Sequence, residues 1–141
     1  MDYAPSPSDR VREQVDRYEA TGGREGGTLE GQPVVILTTT GAKTGKVRKT
    51  PLIRIEHDGV YAVVASAGGA PEHPAWYRNV LADPLVRVQD HDDVLAVRAR
   101  EVHGAEKDRW WRIAETFWPH FPEYREKAAG REIPIVVLER R

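Results

Sequence analysis

Apolar and polar positions along the chain repeat with two periods, and the switches between them place the elements. Val11, Val15 and Tyr18 recur at helical spacing and predict a helix over residues 9–20, with Ser8 as its cap and Gly22-Gly23 as its stop. Residues 22–32 hold five glycines and few apolar groups, and they read as a loop. β-Branched apolar runs then predict strands over 34–40, 47–57 and 60–66. The joints at 41–46 and at Asp58-Gly59 are too short for helical crossovers, so these strands form an antiparallel meander. A loop over 68–74 leads to a helix over 75–82, which ends near Asp83-Pro84. Strands over 85–89 and 94–102 flank the acidic turn Asp90-His91-Asp92-Asp93. A helix over 104–117 places Trp110, Ile113, Ala114 and Phe117 on one face. Pro119 and Pro122 interrupt it, a short helix follows over 123–129, and Gly130 stops that one. The last apolar run, 133–138, is a strand.

The order α-βββ-α-ββ-α(α)-β predicts a mainly β fold with flanking helices, in which about six antiparallel strands form a small barrel or curved sheet. The chain of 141 residues reads as one domain, with a tail and helix over 1–30 and the barrel over 33–138. Composition narrows the function. With 21 Lys+Arg against 22 Asp+Glu, the net charge of −1 argues against a nucleic-acid partner. The absence of cysteine excludes a disulfide scaffold, a thiolate metal site and a Cys nucleophile. None of the five histidines has metal-ligand spacing, so no metal is expected. There is no apolar run long enough to span a membrane and no signal-peptide pattern, so a cytoplasmic protein is expected. Charge is unevenly spread. Residues 31–55 contain no acid and five bases (Lys43, Lys46, Arg48, Lys49 and Arg54), a window of +5 that leaves −6 for the rest.

Three segments carry candidate chemistry. Residues 40–46, Thr-Gly-Ala-Lys-Thr-Gly-Lys, are similar to a phosphate-binding loop without being a Walker A sequence, since Ala42 precedes Lys43 and a strand follows. Glycine-permitted N–H groups, a hydroxyl and several cations suit an anion, and they suit a solvated hairpin loop equally. Residues 66–69, Ser-Ala-Gly-Gly, link a strand to a helix and either face a ligand through backbone N–H groups or simply connect the two. Ser66 lacks the Gly-x-Ser-x-Gly setting of a nucleophile. On 74–79, Pro-Ala-Trp-Tyr-Arg-Asn, Trp76 either packs in the core or walls a slot for a planar ring, with Asn79 as a hydrogen-bond partner. A late aromatic cluster includes Trp110, Trp111, Phe117, Trp118, Phe121 and Tyr124.

Taken in order, residues 37–48, 50–52, 65–69, 74–79 and 133–137 closely resemble the deazaflavin-dependent nitroreductases. These are the A-type coenzyme F420-dependent oxidoreductases of actinobacteria, within the split β-barrel flavin/deazaflavin-binding superfamily. The resemblance implies a split β-barrel, a non-covalently held coenzyme F420 and hydride transfer to a small acceptor such as a quinone, enone or nitroaromatic. By motif, Ala42, Lys43, Thr44 and Arg48 would hold the phosphate and acidic tail. Pro51, Val64, Ala65, Ser66 and Ala67 would contact the ring and ribityl part, and Ala75, Trp76, Tyr77, Arg78 and Asn79 would close the other side. Trp118, Phe121 and Tyr124 would wall the substrate pocket, with Ser66 or Tyr124 as proton source. Some relatives carry Lys where this chain has Ala67, and tyrosines where it has Trp118 and Phe121. That departure favours an enone or quinone over a nitroaromatic.

Two other readings fit the same residues: a non-catalytic binding protein for an apolar, lipid-like ligand on this fold, and an FMN-dependent oxidoreductase. The sequence is compatible with a monomer or a homodimer. Peripheral membrane contact through the first helix stays open, because Arg10, Arg12 and Arg17 alternate there with acids.

Overall fold

A computed structural model describes every residue except Met1 and Ala129. Helix α1, Asp9–Thr21, starts where the Ser8 hydroxyl accepts from Val11 N at 3.4 Å, and it ends at Gly22 in the left-handed region. Its apolar stripe, Val15 and Tyr18, packs on Val34 and Ile36 of strand β2, Gln32–Thr40. The alternate residues of β2, Val35 and Leu37, face the other way into the barrel interior. The strand is therefore buried on both sides, which explains its near-continuous apolar run. The glycine-rich segment before it contains a two-residue strand, β1, Thr28–Leu29, which pairs with Gln32 and Pro33 and leaves no mark in the apolar pattern.

The expected strand over 47–57 is two strands. β3, Val47–Ile53, pairs with β2, and β4, Ile55–His57, pairs with β5, Val60–Val64. Between them, Arg54 N donates to Pro33 O at 2.9 Å. Both strand partners are reached from one segment, so this corner joins the two ends of the path β2-β6-β7-β8-β5-β4. Here β6 is Leu85–Asp90, β7 is Asp93–Glu101 and β8 is Ile135–Arg140, and every pairing of the sheet is antiparallel. The result is a sheet curled into a split barrel. Asp58 and Gly59 both have positive φ, as a two-residue hairpin turn requires. The final strand begins two residues later than expected, because Pro134 cannot donate to a ladder, although its carbonyl still accepts from Ala65 N at 2.9 Å.

Helix α2, Ala75–Ala82, plugs one end of the barrel by adding Trp76 and Val80 to the interior cluster of Val35, Leu37, Val88 and Leu138. Helices α3, Gly104–Phe117, and α4, Phe121–Lys127, cover the outer face of β4, β5 and β8. Trp110, Trp111 and Ala114 are buried there, while Ile113 and Phe117, expected on the same face, are only partly so. Helix α4 starts two residues before the expected 123, at a turn that Pro122 tolerates in its first positions, and residue 129 of that expectation lies outside the described residues.

Candidate active site

Strands β3 and β5 deliver residues from two sides of the corner to one apolar cavity of about 370 Å³. Pro51 comes from β3, Val64 from the end of β5, and Ser66 and Ala67 from the loop that follows. Trp76 enters from α2, and Trp118, Phe121 and Tyr124 close the opposite wall. These eight are the sequence-derived candidates that the fold brings together. Thr50, Leu52, Gly68 and Pro74, which stand in the family-like segments without an assigned role, also line the cavity, as do Ile53 and Leu29, which stand in none of them. Leu29 belongs to β1, a strand too short to show any periodicity, and only pairing with β2 puts it there.

The cavity carries few polar groups. Ser66 is 8% exposed, and neither its hydroxyl nor that of Tyr124 has a hydrogen-bond partner among the described residues. Its size and sparse polarity match the usual site for a flat organic ligand. The loop 66–69 adds backbone directed by an uncommon conformation, since Ala67, Gly68 and Gly69 all have positive φ, at 48, 64 and 83°.

The other candidates lie around the cavity. The loop over 41–46 is closed by Gly41 N to Lys46 O at 2.7 Å, and a Cβ on Gly41 would stand 3.1 Å from both Lys46 O and Thr44 Oγ1. Asn79 fixes this loop: its Oδ1 accepts from Ala42 N at 2.9 Å and its Nδ2 donates to Thr39 Oγ1 at 3.1 Å. The Asn79 amide is thus engaged within the protein, and its place is one helical turn from Trp76 on the same face of α2. Lys43 and Thr44 are exposed on the loop, and Arg48 is half-buried at the start of β3. Arg48 and Thr50 share a face of β3 at a spacing of about 7 Å, which links the cationic loop to the cavity. Lys49 is paired with Glu19 at 2.6 Å and Arg54 with Asp90 at 2.9 Å. That leaves Lys43, Lys46 and Arg48 of the basic window without an ion-pair partner among the described residues.

Like Ala42, Lys43, Thr44, Arg48 and Asn79, the four remaining candidates do not line the cavity. Ala65 is fully buried in the barrel interior, and Ala75 and Arg78 are exposed on α2. The Tyr77 hydroxyl donates to Glu101 Oε1, and burial followed by this bond pushes its pKa up to about 12. Sequence reasoning missed Arg131 altogether. Its guanidinium binds the 65–73 loop from outside, and a lone Arg ahead of a strand gives no signal of that.

An apolar slot beside three cations that have no ion-pair partner among the described residues suits a flat ring with an anionic tail, and on a split barrel it is the site of a cofactor-holding protein. The chain belongs to the F420H2-dependent quinone reductase family, which matches residues 10–140. The cofactor is accordingly coenzyme F420, and the FMN reading falls away. An F420H2-dependent quinone reductase of Mycobacterium tuberculosis is 38% identical over 128 residues, 88% of this chain and 85% of that protein. The structure of an F420-H2 dependent reductase, FDR-A, superposes with a TM-score of 0.71 at 51% identity, covering 76% of this chain and 94% of that one. A domain-swapped dimer matches with a TM-score of 0.74 at 48% identity, over 95% of this chain and all of that one. Among the described residues no helix is long and apolar enough to cross a membrane, and no cluster of His, Asp or Glu could hold a metal ion.

Proposed function

We propose that this protein reduces quinones and enones with reduced F420, binding the ring in the cavity between Trp76 and the Ser66–Gly68 wall. The observation that supports this most is the adjacency of one apolar cavity to a rim with three cations that have no ion-pair partner among the described residues. When bound, the reduced cofactor supplies a hydride from its deazaflavin ring. The protein's part is placement and electrostatics. Lys43, Thr44 and Arg48 hold the phosphate and acidic tail, with Ala42 kept in place by Asn79. Pro51, Val64 and Trp76 enclose the ring and exclude water. Trp118, Phe121 and Tyr124 leave an apolar space for the acceptor. A quinone that gains a hydride needs one proton to become the quinol, and the hydroxyls of Ser66 and Tyr124, without hydrogen-bond partners among the described residues, are placed to hold or pass it.

Steady-state oxidation of reduced F420 with menadione, a cyclohexenone and a nitroaromatic in parallel tests the reading. Turnover is expected to be fastest with menadione and slowest with the nitroaromatic. Binding of F420 without turnover of any of the three would instead favour a carrier of apolar ligands on the same fold.

A further inference from the structure

One wall of the cavity is held from behind by a residue that does not line it. Arg131 lies between α4 and β8. Its Nε donates to Ala70 O at 3.0 Å, its Nη1 to Ala65 O at 3.2 Å and its Nη2 to Ser66 O at 2.8 Å. Nη1 also lies 2.8 Å from His73 Nδ1. A guanidinium has only hydrogens to give, so His73 Nδ1 accepts and the imidazole proton sits on Nε2. Burial, and then the charge of Arg131, holds His73 below its ordinary pKa and keeps that lone pair available.

These four acceptors bracket the loop between β5 and α2. Inside the bracket, Ala67 has φ 48°, a conformation that residues with a Cβ rarely adopt. On the other side α4 presses on the loop: a Cβ at Gly69 would stand 2.8 Å from Lys127 Cβ and 3.0 Å from Tyr124 O. The loop is therefore clamped between a planar fork and a helix, and what it presents to the cavity is Ser66, Ala67 and Gly68. Lysine cannot replace the fork, because one ammonium on a flexible stem does not reach three divergent carbonyls and an imidazole at once.

We propose that Arg131 is the positioning residue of the cofactor-facing wall, fixing the Ser66–Gly68 segment against which the deazaflavin ring lies. The proposal rests on reading the cavity as the ring site. The test uses the full chain with Arg131→Ala and Arg131→Lys, reading F420 affinity by fluorescence titration, KM and kcat with menadione, and amide hydrogen exchange over residues 66–73. For Arg131→Ala, Kd and the KM for reduced F420 are expected to rise about tenfold or more, a penalty of about 1.4 kcal/mol per tenfold. Exchange at 66–70 quickens, and kcat moves by less than about threefold. Arg131→Lys is expected to follow the same direction. A residue that merely stabilised the fold would reduce the folded fraction and leave the Kd of that fraction unchanged. An affinity within twofold of wild type together with unaltered exchange overturns the proposal, and Arg131→Lys decides it by the same readouts should the alanine variant not fold. Failure of the wild-type protein to bind F420 overturns the functional reading and the ring's part in this proposal, while loop exchange in the variants still decides whether the clamp exists.

Discussion

Asp90 shows how much one side chain contributes when several elements converge on it. It is 7% exposed, and it accepts from Arg54 Nε at 2.9 Å, from the Tyr61 hydroxyl and from His91 Nδ1 at 3.0 Å. Those donors come from the β3–β4 corner, from β5 and from the β6–β7 turn. Burial on its own would push the carboxyl pKa up. The bonds from Tyr61 and Arg54, the charge of Arg54 and the His91 contact outweigh it and hold Asp90 below its ordinary value. Tyr61 moves the opposite way, to about 12, through burial and then its bond to Asp90, so it stays a donor at neutral pH. A depressed carboxyl pKa contributes stability that is complete above the unfolded-state value and is lost as pH falls through the folded-state value. Asp90→Asn is therefore expected to destabilise by about 2–3 kcal/mol at pH 7, mainly by leaving the Arg54 charge without its counter-charge. Urea denaturation at several pH values checks this. The gap between wild type and variant should narrow below roughly pH 4, where the unfolded Asp begins to protonate. A gap that stays constant down to about pH 3 would remove the ionic part of the argument.

At the scale of elements, the 3₁₀ turn Ala67–Gly69 and helix α4 act as one unit, and two neighbouring glycines separate its terms. Gly68 has φ +64° with nothing within 4 Å of an added Cβ, so Gly68→Ala meets only the left-handed penalty, about 1 kcal/mol. Gly69 has φ +83° and would drive its Cβ into Lys127 and the Tyr124 carbonyl. Gly69→Ala is expected to cost about 3 kcal/mol, since strain and overpacking add. Equal losses for the two in urea melts would show that α4 yields freely and does not brace the loop. The glycines were legible in the sequence as a connection, but the bracing of their loop was not, because Lys127 reaches Gly69, and Arg131 the carbonyls of Ala65, Ser66 and Ala70, only after α4 and β8 have docked. The barrel corner was hidden for a different reason. Side-chain alternation runs unbroken through Leu52, Ile53, Arg54 and Ile55, and only the hydrogen-bonding partner changes at Arg54, which no periodicity records. By contrast α1, α2 and the Asp58-Gly59 turn were readable because each is set by local geometry: a capping hydroxyl, an apolar stripe or a φ that glycine permits. The pocket lay between these cases. Ser66 and Trp76 stood in recognisable motifs and Tyr124 in the late aromatic cluster, whereas Arg131 bore no mark until it had four partners.

Across the whole molecule, a net charge of −1 conceals an uneven distribution, and the proposed mode of cofactor binding rests on it. The fold refines the +5 window by pairing Lys49 with Glu19 of α1 and Arg54 with Asp90 of β6, so the charge left without a partner among the described residues is concentrated on Lys43, Lys46 and Arg48 at the rim. An acidic tail bound there meets cations in high dielectric, where each contact is worth on the order of 1 kcal/mol or less and is screened beyond about 8 Å at physiological salt. A ring placed in the cavity as proposed would be enclosed by apolar walls and held by a force that salt barely weakens. These two parts of one ligand should separate experimentally. Lys43→Ala is expected to raise the Kd of F420 about fivefold at low salt, close to ~1 kcal/mol, and to flatten its dependence on salt. The same substitution should leave unchanged the affinity for the ribityl-deazaflavin that lacks phosphate and tail. That affinity should hardly vary between roughly 0.05 M and about 0.5 M salt, a range over which the screening length shortens severalfold. Trp76→Ala should do the reverse, weakening both ligands by a similar factor with the salt slope intact. Fluorescence titration of the two ligands against the two variants gives four salt series. A Lys43 effect of equal size on the tailless ring would mean that the basic loop shapes the cavity and does not hold the anion, and the electrostatic account of the rim would then have to be abandoned.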